Sequence, residues 1–209
     1  QTPTYKEIID FYTQLDAKYK QAKLLETGKT DIGKPLHLFV ISSDGDFNPI
    51  SIHAKNKRVI LINNGIHPGE PDGIDASMKW CEELLKNPTA AKELEHIVLC
   101  IIPVYNIGGC LNRSKNYRVN QNGPEEAGFR GNARNLDLNR DYIKMDSENA
   151  RSFTKIFQTW QPELFVDNHV SDGADYQYTI TLIATQHNKL QPLLGNYMQQ
   201  LLVPALYKD

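Results

Sequence analysis

The chain has 209 residues, 40% of them apolar, and a formal net charge of −2. That length and composition can bury one sizeable core, so residues 1–209 are expected to form a single domain. The balanced charge gives no global field for nucleic acid, and no stretch reaches the ~20 apolar residues needed to cross a membrane.

Cys81, Cys100 and Cys110 form no CxxC pair and no disulfide framework. Cys81 falls in a helical pattern and Cys100 in an apolar strand, where each reads as a small core hydrophobe. The chain begins at Gln1 rather than methionine, as expected of a processed product or of a cut piece of a longer chain. Removal of a secretory signal would place the protein outside the cytoplasm, either periplasmic or secreted.

In chain order, Thr4 precedes a helical pattern carrying Ile8, Phe11, Leu15 and Tyr19 on one face. Two extended runs follow, Leu24–Thr27 and Leu36–Ile41, and the Asp31-Ile32-Gly33-Lys34-Pro35 turn between them predicts a hairpin. His37 alternates with apolar neighbours and is expected on the solvent side of its strand. His53 is expected in a polar loop, and neither residue is read as a ligand. Val59–Ile62 is a buried strand, and Gly73–Lys86 carries Ile74, Met78, Cys81 and Leu85 at helical spacing. Thr89 is expected to cap a short helix running through Leu94. Ile97–Val104 is a strand buried on both faces, with His96 at its entrance as a boundary residue.

From Asn106 to Arg140 there is little periodicity, as in functional or disordered segments. It carries an excess of basic residues that suits either a solvated loop or a pocket for an anion. Its end, Leu136–Tyr142, alternates as though docking against the sheet. Ser147 caps a predicted helix bearing Ala150, Phe153, Ile156, Phe157 and Trp160, which Pro162 ends. Leu164–Asp167 is another strand, with His169 at its carboxyl end; Tyr178–Ala184 reads as one more, and Leu190–Tyr207 as a terminal helix. Strands alternating with helices imply an α/β sandwich with a mixed, largely parallel sheet.

The chemistry concentrates after the first buried strand, in Asn63-Asn64-Gly65-Ile66-His67-Pro68-Gly69-Glu70-Pro71-Asp72-Gly73. An imidazole and a carboxylate three residues apart on a stiff loop can grip one face of a metal ion. Zinc accepts such a pair, and a catalytic site needs a third protein ligand with one position left open. Ligands in open α/β sheets bind beyond the carboxyl ends of strands. His67, Glu70 and His169 all occupy that position. Asn139 and Arg140, side by side, can clamp a carboxylate, and a second arginine can hold an oxyanion. Asp137 is a candidate to accept the outer N–H of a metal-bound histidine.

These motifs together resemble the zinc carboxypeptidases of the funnelin, or carboxypeptidase A-like, type. The resemblance rests on His67-Pro68-Gly69-Glu70, Asn106-Ile107-Gly108-Gly109, the run from Arg130 to Arg140, and Asp167-Asn168-His169, in family order from about Lys23 onward. It implies a three-layer α/β sandwich of phosphorylase/hydrolase-like architecture. It implies one zinc ion held by His67, Glu70 and His169, with Asp137 orienting His67. Asn139 and Arg140 would recognise the C-terminal carboxylate of a peptide. Arg130 best fits the arginine that polarises the scissile carbonyl, with Arg134 the alternative.

The family's general-base glutamate and substrate-covering tyrosine lie beyond the third zinc ligand. The 40 residues after His169 contain Asp172, Asp175 and Asp209 but no glutamate. Tyr176, Tyr178, Tyr197 and Tyr207 stand in contexts without a match. The resemblance therefore implies the amino-terminal two-thirds of a catalytic domain, with its carboxyl-terminal strands missing and little turnover by itself. Two other readings stay open: a zinc amidoacylase of the desuccinylase or aspartoacylase type, and a non-catalytic module that captures carboxylate-bearing ligands. Each accepts a partner with a free carboxylate.

Overall fold

A computed structural model describes residues 2–171 and 173–208, so Asp172 and Asp209 lie outside the described residues. Two compact units are present, 1–173 and 174–209.

The first unit opens with helix α1, Tyr5–Lys18. Thr4 and Glu7 form a reciprocal cap, the Thr4 N–H donating to Glu7 Oε2 at 2.7 Å and the Glu7 N–H to Thr4 Oγ1 at 3.3 Å. Ile8, Tyr12 and Leu15 are the buried stripe. Strands β1 (Ala22–Lys29) and β2 (Pro35–Ser42) form the expected antiparallel hairpin. Next come α2 (Pro49–Ala54), β3 (Arg58–Asn63), α3 (Asp72–Lys86), α4 (Ala90–Glu93) and β4 (Ile97–Ile102). A short helix α5 (Ile107–Leu111) and a two-residue ribbon, β5 (Arg113–Ser114) with β6 (Ala127–Gly128), follow. Helix α6 (Glu148–Trp160) and strand β7 (Leu164–Asp167) complete the unit.

The five-stranded sheet has the order β1-β2-β4-β3-β7. It is mixed: β1–β2 and β2–β4 are antiparallel, β4–β3 and β3–β7 parallel. One face packs Phe39, Ile41, Leu99 and Ile101 against α1 and α3. The other packs Leu38, Val40, Leu61 and Cys100 against Ile52 of α2 and Phe153, Ile156 and Trp160 of α6. These are three layers, held by apolar burial at roughly 1.5–3 kcal/mol per large side chain.

Covering both faces moves two histidines from their expected places. His37 is buried, not solvent-facing, because β2 is covered on both sides; its Nδ1 has no hydrogen-bond partner and burial lowers its pKa. His53 is half-buried in α2 rather than in a loop, its Nε2 lying 3.0 Å from the Trp160 carbonyl oxygen. Both stay outside the metal-ligand cluster described below.

Helix α6 starts where Ser147 Oγ accepts the Ala150 N–H at 3.0 Å. Buried Asp141 fixes that cap, accepting the Asp146 N–H at 2.8 Å, the Ser147 N–H at 2.9 Å and the Ser147 hydroxyl at 2.5 Å. Burial pushes the Asp141 carboxyl up, but these donors outweigh it and hold it below the usual carboxylate value. Its folded pKa is depressed, so its stabilisation is present above the unfolded value near 3.8 and is lost as pH falls through the folded value. Asp141→Asn, which replaces one acceptor oxygen by an N–H₂ group and sets it against at least one of these donors, is expected to cost about 1–3 kcal/mol at neutral pH. Thermal melts from pH 7 to pH 3 check this: the gap to wild type should close at the acid end, and a constant gap would refute it.

The second unit lacks the strand expected at Tyr178–Ala184. Those residues have no regular structure, and Tyr178, Ile180 and Ile183 are exposed. An apolar alternation becomes a strand only beside a ladder partner, and the described residues of this unit contain no strand. The expected terminal helix is present from Pro192, as α7 (Pro192–Tyr197), a widened π turn (Met198–Leu202) and α8 (Val203–Leu206). Pro204, which has no N–H to donate, sits just past the widened turn. Among the described residues no helix is long and apolar enough to cross a membrane.

Candidate metal centre

Strands β3 and β7 are parallel neighbours, with Asn63 opposite Asp167, so both chains leave the sheet at the same end. That adjacency brings residues a hundred positions apart to one place. Asn64 and Asn168 tie the two exits together, Asn168 Nδ2 donating to Asn64 Oδ1 at 2.8 Å. The start of α3 presses on this pair, for a Cβ on Gly73 would stand 2.5 Å from that of Asn168. Asn106 binds the other side. Fully buried, it donates to the Ile66 carbonyl at 3.3 Å and the Arg130 carbonyl at 3.0 Å, while its Oδ1 accepts the Gly109 N–H at 2.8 Å. Gly109 is needed in that turn, since a Cβ there would lie 2.2 Å from the Phe129 carbonyl oxygen.

On this frame His67, Glu70 and His169 converge, their ligand atoms all within 4.8 Å of one another. His67 Nδ1 lies 3.1 Å from Glu70 Oε1, and His169 Nδ1 lies 3.1 Å from Glu70 Oε2. The outer nitrogen of each ring meets a second carboxylate: His67 Nε2 is 2.9 Å from Asp137 Oδ1, and His169 Nε2 is 3.2 Å from Asp167 Oδ2. With an acceptor behind each Nε2, the Nδ1 lone pairs point inward once the rings are neutral. Two imidazoles and one carboxylate, each imidazole backed by an acid, form a donor set that fits zinc. His67 and Glu70 are buried, whereas His169 is exposed on one side.

Electrostatics keeps Glu70 and Asp137 ionised. Burial pushes the Glu70 carboxyl up, but hydrogen bonds with His169, His67, Arg118 and the Val170 N–H prevail and hold it far below the usual range. Asp137 is also lowered: burial opposes, but His67, the Asn139 N–H and Arg130 prevail. Hydrogen bonds to Asp167 and Glu70 push the metal-free His169 up to about 9.

The basic residues divide. Arg130 reaches the cluster: its Nε and Nη2 lie 3.1 and 3.0 Å from Asp137 Oδ2, and its Nη1 lies 3.9 Å from Glu70 Oε1. Arg134 is turned elsewhere, donating to the Asp146 carbonyl at 3.0 Å and pairing with Asp31 at 3.6 Å. Asn139 gives its N–H to Asp137 Oδ1 at 3.0 Å, and Arg140, exposed, donates to the Asn139 carbonyl at 2.8 Å.

Two residues of the cluster were not singled out by sequence reasoning. Arg118 is nearly buried and donates to Glu70 Oε1 at 2.7 Å. It crosses Gly69, where a Cβ would stand 2.7 Å from Arg118 Nε. Nothing in the spacing of Arg118 announces this, because it comes from an irregular segment 48 positions away. Asp167 was visible within a motif, but its pairing with His169 depends on the turn after β7.

Comparison with known proteins gives the family and the fold. A family model described as "Zinc carboxypeptidase" matches residues 8–200. "Carboxypeptidase 2" of Trichophyton tonsurans is 25% identical over 134 residues, covering 64% of this chain and 22% of the relative. "Carboxypeptidase 2" of Trichophyton rubrum is 26% identical over 129 residues, covering 61% and 20%. Among solved structures, a metallo-carboxypeptidase from Burkholderia cenocepacia superposes with a TM-score of 0.65 at 18% identity, covering 84% of this chain and 43% of that one. A metallo-carboxypeptidase from Pseudomonas aeruginosa, in complex with (2-guanidinoethylmercapto)succinic acid, gives 0.62 at 17% identity, covering 83% and 41%. The chain thus spans about a fifth of those curated relatives and about two fifths of those solved structures.

Proposed function

The chain belongs to the zinc carboxypeptidase family, and from that premise we propose that it carries the metal centre of a hydrolase that removes the C-terminal residue of peptides. The observation that carries this reading is the convergence of His67, Glu70 and His169 within 4.8 Å beside an asparagine–arginine pair. His67, Glu70 and His169 would hold one zinc ion. When bound, zinc supplies Lewis acidity toward an amide carbonyl and toward water.

The remaining roles fall to this chain's own side chains. Asp137 holds the outer nitrogen of His67 and so orients the ring. Arg130, with Nη1 3.4 Å from His67 Nδ1, has its guanidinium beside the ligand atoms, where it can stabilise charge developing on the carbonyl oxygen. Arg140, with an exposed guanidinium, and the adjacent Asn139 amide can grip the terminal carboxylate of the substrate and set which bond is presented. Arg134, engaged with Asp31 and Asp146, is the weaker candidate for substrate contact. The general base is assigned to no residue here, for residues 170–209 contain no glutamate.

The family match favours peptides over the N-acyl amino acids of the amidoacylase reading. The test uses protein that carries this chain, with one peptide series as free acids and as C-terminal amides. Cleavage of the free acids, at least tenfold weakened by amidation or by Arg140→Ala, is expected for about 1.4 kcal/mol or more of carboxylate recognition. Equal cleavage of both series would overturn the substrate assignment, and binding without turnover would favour a capture module.

A further inference from the structure

The two imidazoles of the cluster are backed by carboxylates of different surroundings. Asp137 is shared with Arg130, whose Nε and Nη2 both approach Oδ2. Asp167 instead meets neutral donors besides His169. Asn63 Nδ2 donates to its Oδ1 at 2.9 Å, and the Tyr142 hydroxyl donates to its Oδ2 at 3.3 Å. Asn63 Nδ2 also lies 3.3 Å from the Tyr142 hydroxyl, closing a triangle of hydrogen bonds.

Each member of that triangle is fixed by something other than His169. Asn63 is wholly buried at the end of β3, and its Oδ1 has no hydrogen-bond partner. The amide keeps its nitrogen toward Asp167, because the reverse orientation would set a carbonyl against a carboxylate. Tyr142 is wedged among rings: near-parallel to Tyr105 at 6.5 Å, and edge-on to Phe153 at 5.1 Å and to Phe165 at 6.5 Å. The Asp167 carboxylate is therefore held from the core side, and Oδ2, which also accepts the Tyr142 hydroxyl, is turned to the histidine.

Resting on the metal-centre reading above, we propose that Asp167 is a positioning residue for His169, and that Asn63 and Tyr142 hold Asp167 for that task. An acceptor behind Nε2 keeps the proton there and leaves Nδ1 free to ligate. Asparagine at 167 would have the same shape but could turn an N–H₂ donor toward Nε2. The proton of a neutral ring would then move to Nδ1, the atom that faces Glu70, and the ligand would be lost in that tautomer. Tyr142 lies two residues after Arg140, so the segment carrying the proposed carboxylate clamp also buttresses the third metal ligand.

The experiment measures zinc affinity by chelator competition, and the Co(II) absorption spectrum, for wild type, Asp167→Asn, Tyr142→Phe and His169→Ala. Asp167→Asn is expected to weaken zinc binding about 10–100-fold and alter the Co(II) bands; Tyr142→Phe should weaken binding by about three- to tenfold. A purely structural role would lower the melting temperature in chelator and leave affinity and spectrum unchanged. Should Asp167→Asn fail to fold, Tyr142→Phe, which deletes only a hydroxyl, decides alone. His169→Ala separates the two levels of inference. Zinc retained in that variant would refute His169 as the third ligand, and with it the metal-centre reading on which the proposal rests. Zinc lost there, with Asp167→Asn within twofold of wild type (or, if it does not fold, Tyr142→Phe), would refute only the positioning role.

Discussion

His169→Ala is expected to take the zinc content of the metal-replete chain from about one ion to near zero. The expectation comes from coordination number. Two remaining protein ligands, His67 and Glu70, sit on one short loop and leave half of a tetrahedral shell to water. His169 is the informative position because one side of it is exposed, with 34% of the side chain accessible, whereas His67 and Glu70 are 2% and 5% accessible. Replacing either buried residue would disturb the loop packing as well as the site. Elemental analysis of wild type and variant, beside a thermal melt of each in chelator, reads the result. Undiminished zinc in a folded His169→Ala protein would overturn the assignment of the third ligand.

The second large effect belongs to Arg118. Its guanidinium and the Glu70 carboxylate are 7% and 5% accessible and 2.7 Å apart. Buried pairs are costly to break from one side; because Glu70 keeps its hydrogen bonds to His169, His67 and the Val170 N–H, the loss here falls short of that of an isolated buried charge and should be about 1.5–3 kcal/mol. Arg118→Ala should therefore destabilise the metal-free chain by that amount in denaturant titration. Arg130→Ala is the control. Arg130 also faces Glu70 and Asp137 but is 44% accessible, so its loss should cost about 1 kcal/mol or less. Zinc would supply Glu70 with a replacement cation, so the Arg118→Ala deficit should shrink in metal-replete buffer. Equal, small losses for the two variants would refute the view that burial sets the difference.

Much of this protein follows from local sequence. Thr4 with Glu7, and Ser147 ahead of an apolar stripe, place the first and sixth helices through capping chemistry confined to four residues. The glycine–proline turn after the first strand produces the hairpin, and the loop after Ile62 carries a histidine and a glutamate that converge because only three positions separate them. Asp137 as the partner of His67 was also within reach, since the motif placed an acid beside a candidate clamp.

What the tertiary structure decided is whatever depends on which strands are neighbours. His37 is buried because its strand has layers on both sides, a fact its alternating pattern does not encode. The apolar run at Tyr178–Ala184 forms no strand because pairing, not propensity, makes strands. The adjacency of β3 and β7 puts His169 against Glu70 across 99 positions, and it sets Asp167 between Asn63, Tyr142 and that histidine. Arg118 reaches Glu70 from an irregular segment because Gly69 leaves room for it. Local spacing determined which residues could bind a metal; long-range strand order and burial decided which charges surround them, because electrostatic partners meet through space rather than along the chain.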